Sequence, residues 1–190
     1  FSWTVFNIFG HGGGKINRKS TLSVVSLITL TLILNVGAVS AANSTFNSTS
    51  VVNSADIVKN YVETNHAVPN SVKVANQDVT SAQYLYLLTS TVQNINKSSN
   101  TPVTLKSVTS PTCSSETVTS GTLTKNEYIT IAGKIVTFIN NYNRLPNYVT
   151  TSLGNMRYEN LVYTYSKILI YYKSYNTMPN TVSITPWNSI

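Results

Sequence analysis

A proline-centred segment occurs three times in this 190-residue chain, and it points to an array of small binding units rather than one catalytic core. The copies end at Pro69-Asn70, Pro146-Asn147 and Pro179-Asn180. Aligning Pro69 with Pro146 needs no gap across 35 residues, and Val58, Tyr61 and Val62 then fall on Ile135, Phe138 and Ile139. That spacing is one face of a helix. A residue before proline is pushed out of helical geometry, so the first helix ends near Asn65–His66 and its counterpart at Asn143. Ser54 reads as the N-cap of the first helix, with Asp56 in its first turn. After Pro69, Val72 and Val74 alternate with polar residues, Ala75-Asn76-Gln77-Asp78 turns the chain, and Val79 resumes it, which predicts a short β-hairpin. Thr80 or Ser81 then caps a second helix, with Gln83 three residues after Thr80 and Leu85, Leu88, Val92 and Ile95 on one face. The matching helix of the second copy runs from about Tyr158 through Val162, Tyr165 and Leu169.

The expected fold class is therefore α+β, mostly helical, with small helix–β-hairpin–helix repeats in tandem. Repeat 1 spans 54–96, repeat 2 spans 128–167 and a partial repeat 3 spans 168–190. Pro146 and Pro179 are 33 residues apart, so the helix from about Tyr158 to Tyr175 closes one repeat and opens the next. The third copy holds only its helix, its proline and Val182-Ser183-Ile184, and reads either as a terminal cap or as the point where a longer protein continues. Residues 97–127, rich in Ser, Thr and Pro, read as a flexible extended linker.

Lys15, Arg18 and Lys19 precede an uncharged apolar run, Leu22 to Ala41, which exits through Val39-Ser40-Ala41. A basic head, an apolar middle and a small-residue exit form the secretory pattern, so 15–42 is read as a signal peptide or, if retained, an N-terminal anchor. In either case the remainder lies outside the cell, and membrane contact is through this segment alone. Residues 1–14 read as an extra upstream segment without structure of its own. Residues 43–53 read as a stalk, and Asn43, Asn47 and Asn96 head N-glycosylation sequons.

Charged residues make up 10% of the chain, where about a quarter is usual, yet the net charge is +7. The imbalance is local. Residues 128–190 hold five bases, one acid and nine of the 12 tyrosines. A basic, tyrosine-rich half suits a polyanionic partner. Nucleic acid is not expected, because the chain carries an export signal and no nucleic-acid-binding motif. The single cysteine, Cys113, excludes an intramolecular disulfide and reads as an exposed thiol or an intermolecular link. His66 reads as a helix-end residue, since no metal-type residue is spaced near it. Neither a metal nor a cofactor is expected.

The segments Arg144-Leu145-Pro146-Asn147-Tyr148-Val149-Thr150 and Gln83-Tyr84-Leu85-Tyr86-Leu87-Leu88 resemble the pseudomurein-binding repeat of methanogenic archaea, over about 55–96 and 128–190. The resemblance implies non-covalent attachment to pseudomurein, a wall polymer that carries uronic-acid carboxylates and acidic peptide cross-bridges. The first copy departs from the pattern, with Ala67-Val68 in place of Arg144-Leu145 and Ser71 in place of Tyr148. Family members also occur beside a cysteine-peptidase domain, but no His follows Cys113, so no catalytic residues are expected.

The candidate wall contacts are Arg144, Asn147 and Tyr148, with Asn70 and Asn180 at the other two turns. Two readings stand side by side. Tyr148 stacks on a sugar face while Arg144 forks onto a carboxylate, or Tyr148 packs on its helix while Arg144 is solvated. The function expected is non-catalytic wall binding that anchors the protein at the archaeal cell surface. The alternatives are the targeting part of a wall-cleaving peptidase, or an adhesin for other glycans or proteins.

Overall fold

The computed structural model describes residues 44–190. The signal or anchor segment, the upstream segment and Asn43 lie outside the described residues. No described helix is long and apolar enough to cross a membrane.

Among the described residues, four α-helices and four two-stranded antiparallel sheets make an α+β fold. In chain order they are β1 (Thr45–Phe46), α1 (Ser48–Asn65), β2 (Ser71–Val74), β3 (Gln77–Thr80), α2 (Ser81–Asn96), β4 (Val103–Thr104), β5 (Gly121–Thr124), α3 (Lys125–Tyr142), β6 (Val149–Thr151), β7 (Gly154–Met156), α4 (Tyr158–Tyr175) and β8 (Thr181–Ile184). The order strand–helix–hairpin–helix–strand thus occurs twice.

Local chemistry sets the helix ends. Asn47, not Ser54, caps α1: its side-chain oxygen accepts from the Ser50 amide at 2.8 Å. Ser54 lies buried in mid-helix, where its hydroxyl donates to the Val51 carbonyl and meets the Tyr84 hydroxyl at 3.1 Å. The stretch read as a stalk is therefore β1 and the first turns of α1, with Phe46, Val51 and Val52 in the core. His66, Asn143 and Asn176 end α1, α3 and α4 in the left-handed conformation, at φ of 50°, 52° and 51°. Thr80 and Gln83 form the expected capping box on α2. The turn between β2 and β3 is Ala75-Asn76, with Val72 opposite Val79.

The outer strands pair across the sequence. β1 pairs with β4, placing Phe46 opposite Val103. β5 pairs with β8, placing Leu123 opposite Val182. Met178, Pro179, Val182 and Ile184 are buried, and the Tyr128 hydroxyl donates to the Pro179 carbonyl at 2.6 Å. The 168–190 segment read as half a repeat thus finds its second strand upstream, just ahead of α3.

Helix packing interlocks the two halves. α1 lies on α4, α3 lies on α2, and α2 touches α4. α2 and α4 are buried around most of their girth, as a helix apolar on several faces must be. Buried tyrosines bridge the helices: Tyr165 donates to the Tyr128 carbonyl at 2.7 Å, and burial pushes its hydroxyl well above the ordinary tyrosine range.

The 97–127 segment is extended, as its composition suggests, but it is fastened rather than flexible. Val108 and Val118 enter the core. Thr109 exchanges backbone hydrogen bonds with Asn143 and Leu145, and Thr117 and Thr119 donate to Asn155 and Leu153 along β7. Glu116 accepts from the Asn160 side chain and the Trp187 amide. Its last residues are β5 and the start of α3.

Candidate functional site: an aromatic and basic cleft on the third helix

The turn after Pro146 packs back on α3 because Leu145 and Pro146 are buried, and β6 then runs alongside the helix. Ile135 and Ile139 face the core fully buried. The neighbouring stripe of α3, Lys134, Phe138 and Tyr142, faces outward at the four-residue spacing that places side chains in a row. Between this stripe and β6 lies a cleft of about 240 Å3, lined by Lys134, Ile135, Phe138, Pro146, Tyr148, Val149 and Thr150. Lys134 and Thr150 continue into a shallow groove with Glu127, whose carboxylate accepts from the Ser152 amide at 2.7 Å and its hydroxyl at 3.0 Å.

Tyr148 is 46% exposed on one wall of the cleft. Arg144 lies with its guanidinium carbon 5.0 Å from the centre of the Phe138 ring, and one of its terminal nitrogens donates to the Leu145 carbonyl at 3.2 Å. The Tyr142 ring centre lies 4.7 Å from that of Phe138, and Tyr142 is 61% exposed. Arg144 and Tyr142 thus both pack against Phe138 beside the cleft. A cation over a ring and tilted ring pairs are favourable geometries, so the row is held in place before any ligand arrives.

Charge separates these residues from their neighbours. Of the five bases in residues 128–190, Arg157 forks onto Glu159 at 2.7 and 2.8 Å, and Lys173 pairs with Asp56 at 2.7 Å. Lys167 donates to the Ser183 carbonyl at 2.6 Å and lies 4.4 Å from the Tyr163 ring centre; burial lowers its pKa to about 8. Lys134 and Arg144 have no carboxylate partner among the described residues; Lys134 lines the cleft, and Arg144 rests on Phe138, which lines it.

The other candidates are placed differently. The Asn147 side-chain oxygen accepts from the Thr112 hydroxyl at 3.2 Å and the Cys113 amide at 3.4 Å, so it holds the 97–127 strap. Asn70 and Asn180 are exposed but do not line the cleft; their backbone carbonyls accept from Ser81 and Lys125, the first residues of α2 and α3. Asn47 is engaged as a cap, and Asn96 is exposed at the last turn of α2. Cys113 is exposed, and no group of three or more His, Cys, Asp or Glu among the described residues is placed to hold a metal. The sequence pattern did not single out Lys134 and Tyr142 as contacts, and it placed Phe138 on the same helix face as Ile135 and Ile139. The available signal was the four-residue spacing, displaced by one position from the Ile135–Ile139 core stripe.

Residues 119–151 match the family model of the pseudomurein-binding repeat. The chain carries a pseudomurein-binding repeat. The matched residues include β5, α3, the Pro146 turn and β6, and so every residue of the cleft. None of the curated proteins compared with the chain is similar to it.

Proposed function

We propose that the chain is a non-catalytic cell-wall binder, held at the archaeal cell surface by contact between the α3–β6 cleft and pseudomurein. The observation that carries this reading is the coincidence of three features inside the matched repeat: an exposed aromatic row, a cleft beside it, and two bases next to that row, Lys134 and Arg144, without a carboxylate partner among the described residues. Tyr148 and the Phe138–Tyr142 row offer flat apolar faces to sugar rings. Lys134 and Arg144 offer charge to carboxylates, and Arg144 can do so without leaving Phe138, since a guanidinium stacks by its face and donates at its edge. The segments α1-β2-β3-α2 and α3-β6-β7-α4 are read as two copies of one unit. The first is the weaker binder, because Ile57 and Ser71 stand where the second has Lys134 and Tyr148.

The test is retention of the full chain on purified pseudomurein, with bacterial peptidoglycan and chitin as controls. Tyr148→Ala and Arg144→Ala are each expected to weaken retention about tenfold, equivalent to about 1.4 kcal/mol, with an unchanged circular-dichroism melt. Equal retention on all three polymers, or full retention by both variants, refutes the assignment.

A further inference from the structure

The aromatic row on α3 has a counterpart that the matched repeat does not include. Phe138, Tyr142, Asn143 and Pro146 recur 33 residues later as Tyr171, Tyr175, Asn176 and Pro179. The geometry recurs with them. Tyr171 and Tyr175 stack at 4.5 Å between ring centres and 39° between planes, against 4.7 Å and 46° for Phe138 and Tyr142. Each pair sits on the last turn of its helix. Each helix then ends in a left-handed Asn whose amide returns to the carbonyl four residues back, at 2.9 Å for Asn143 and 2.8 Å for Asn176. A buried apolar residue and a buried proline follow in both, and a strand begins.

The core does not account for Tyr171 and Tyr175. Ile168 and Leu169 fill it, while Tyr171 is 41% and Tyr175 65% exposed. Two large exposed rings fixed against each other are an apolar surface left toward solvent, of the kind that marks a contact site. Beside this turn of α4 opens a crevice of about 460 Å3, whose lining includes Asn96, Ser98, Asn100, Lys125, Asn176 and Thr177. It therefore offers amides, hydroxyls and one ammonium.

We propose that Tyr171 and Tyr175 form a second saccharide platform, which takes the apolar face of a sugar ring while the ring's hydroxyl or carboxylate substituents reach the crevice. The assignment rests on the wall-binding reading of the first cleft, because the recurrence of the α3 geometry is what names the occupant. It makes the folded unit bivalent for a repeating polymer. A second contact on one rigid body raises the effective concentration of the first without any new chemistry.

The experiment uses the full chain in two formats. The first is isothermal titration with single-repeat saccharide fragments released from purified pseudomurein. Two equivalents per chain are expected. One equivalent is expected for Tyr171→Ala/Tyr175→Ala and for Tyr171→Leu/Tyr175→Leu, the latter keeping apolar bulk while removing the ring. One is also expected for Phe138→Ala/Tyr142→Ala. The second format is retention on the intact polymer, where loss of either platform is expected to weaken binding at least tenfold. If the Tyr171/Tyr175 variants keep wild-type stoichiometry and retention while Phe138→Ala/Tyr142→Ala loses both, the second platform is refuted and the wall-binding reading stands. If the wild-type chain is not retained on the polymer, the wall-binding reading falls and the second platform with it.

Discussion

Ending the chain at Asn176 is expected to abolish cooperative folding, although only the last 14 residues, 177–190, would be lost. Those residues include Met178, Val182 and Ile184, which are 6%, 7% and 2% exposed. Burial of three such side chains stabilises by about 1.5–3 kcal/mol each, or about 5–9 kcal/mol together. A compact unfolded state reduces that figure somewhat. The cut also strips β5 of its whole partner strand and leaves the buried Tyr128 hydroxyl without the Pro179 carbonyl, a further cost of about 1–3 kcal/mol. A domain of this size has a total stability of about 5–15 kcal/mol, so the loss consumes most or all of it. The assay is urea unfolding followed by far-ultraviolet circular dichroism, with Ile184→Ala as a milder companion expected to cost about 2–5 kcal/mol at unchanged slope. A truncated chain that unfolds cooperatively near the wild-type midpoint would refute the reasoning. It would mean that β8 is a dispensable appendage and that β5 is stable without it.

Further outcomes are open to direct measurement. Gly154 adopts φ of +117° and a β-carbon there would stand 2.5 Å from the Thr117 carbonyl oxygen, so Gly154→Ala should lower the melting temperature by several degrees and loosen hydrogen-exchange protection at Thr117 and Thr119. Thr80→Ala removes one arm of the capping box and should cost about 0.5–2 kcal/mol in urea unfolding. The Lys167 pKa is lowered to about 8 from 10.5, so below pH 8 the fold holds an ammonium it disfavours. The unfolded chain binds more protons above that pH, and wild-type stability should rise from pH 8 toward 10. Lys167→Met should flatten that rise. The window closes near pH 10 because buried tyrosine hydroxyls such as Tyr163, raised above 10, oppose the trend beyond it.

The ends of the helices were legible because local rules govern them. A left-handed residue followed three positions later by proline leaves a helix few ways to continue, and His66, Asn143 and Asn176 all obey. The β2–β3 hairpin was legible from alternation, although the turn expected at Ala75–Asp78 is only Ala75-Asn76 and Gln77 and Asp78 belong to β3. The β1–β4 and β5–β8 pairings were not, since strands of two to four residues carry too little pattern and their partners lie far along the chain. Residues 97–127 misled through composition: Val108 and Val118 hold the strap while nearly everything between them is polar. Asn47 was passed over as a cap because the Ser/Thr run around it resembles a stalk. Of the candidate contacts, Tyr148 lines the cleft and Arg144 rests on Phe138 beside it, whereas Asn147 is engaged elsewhere because its partner Thr112 comes from a segment read as free. The outward row on α3 was hidden by the core row beside it, one residue out of phase.

The crossing of helices between the halves has a consequence for the order of events during synthesis. α1 buries Val51, Ala55, Val58 and Val62, and the helix it lies on is α4. Glu63 and Tyr163, which meet at 2.7 Å, are separated by 100 residues. α1 must therefore wait for α4, which is made about 100 residues later. While it waits, α2 and β2 supply the main cover for its apolar side among the described residues. Such distant pairing slows folding and prolongs the interval in which exposed apolar surface can find a wrong partner, including the same surface on a neighbouring nascent chain.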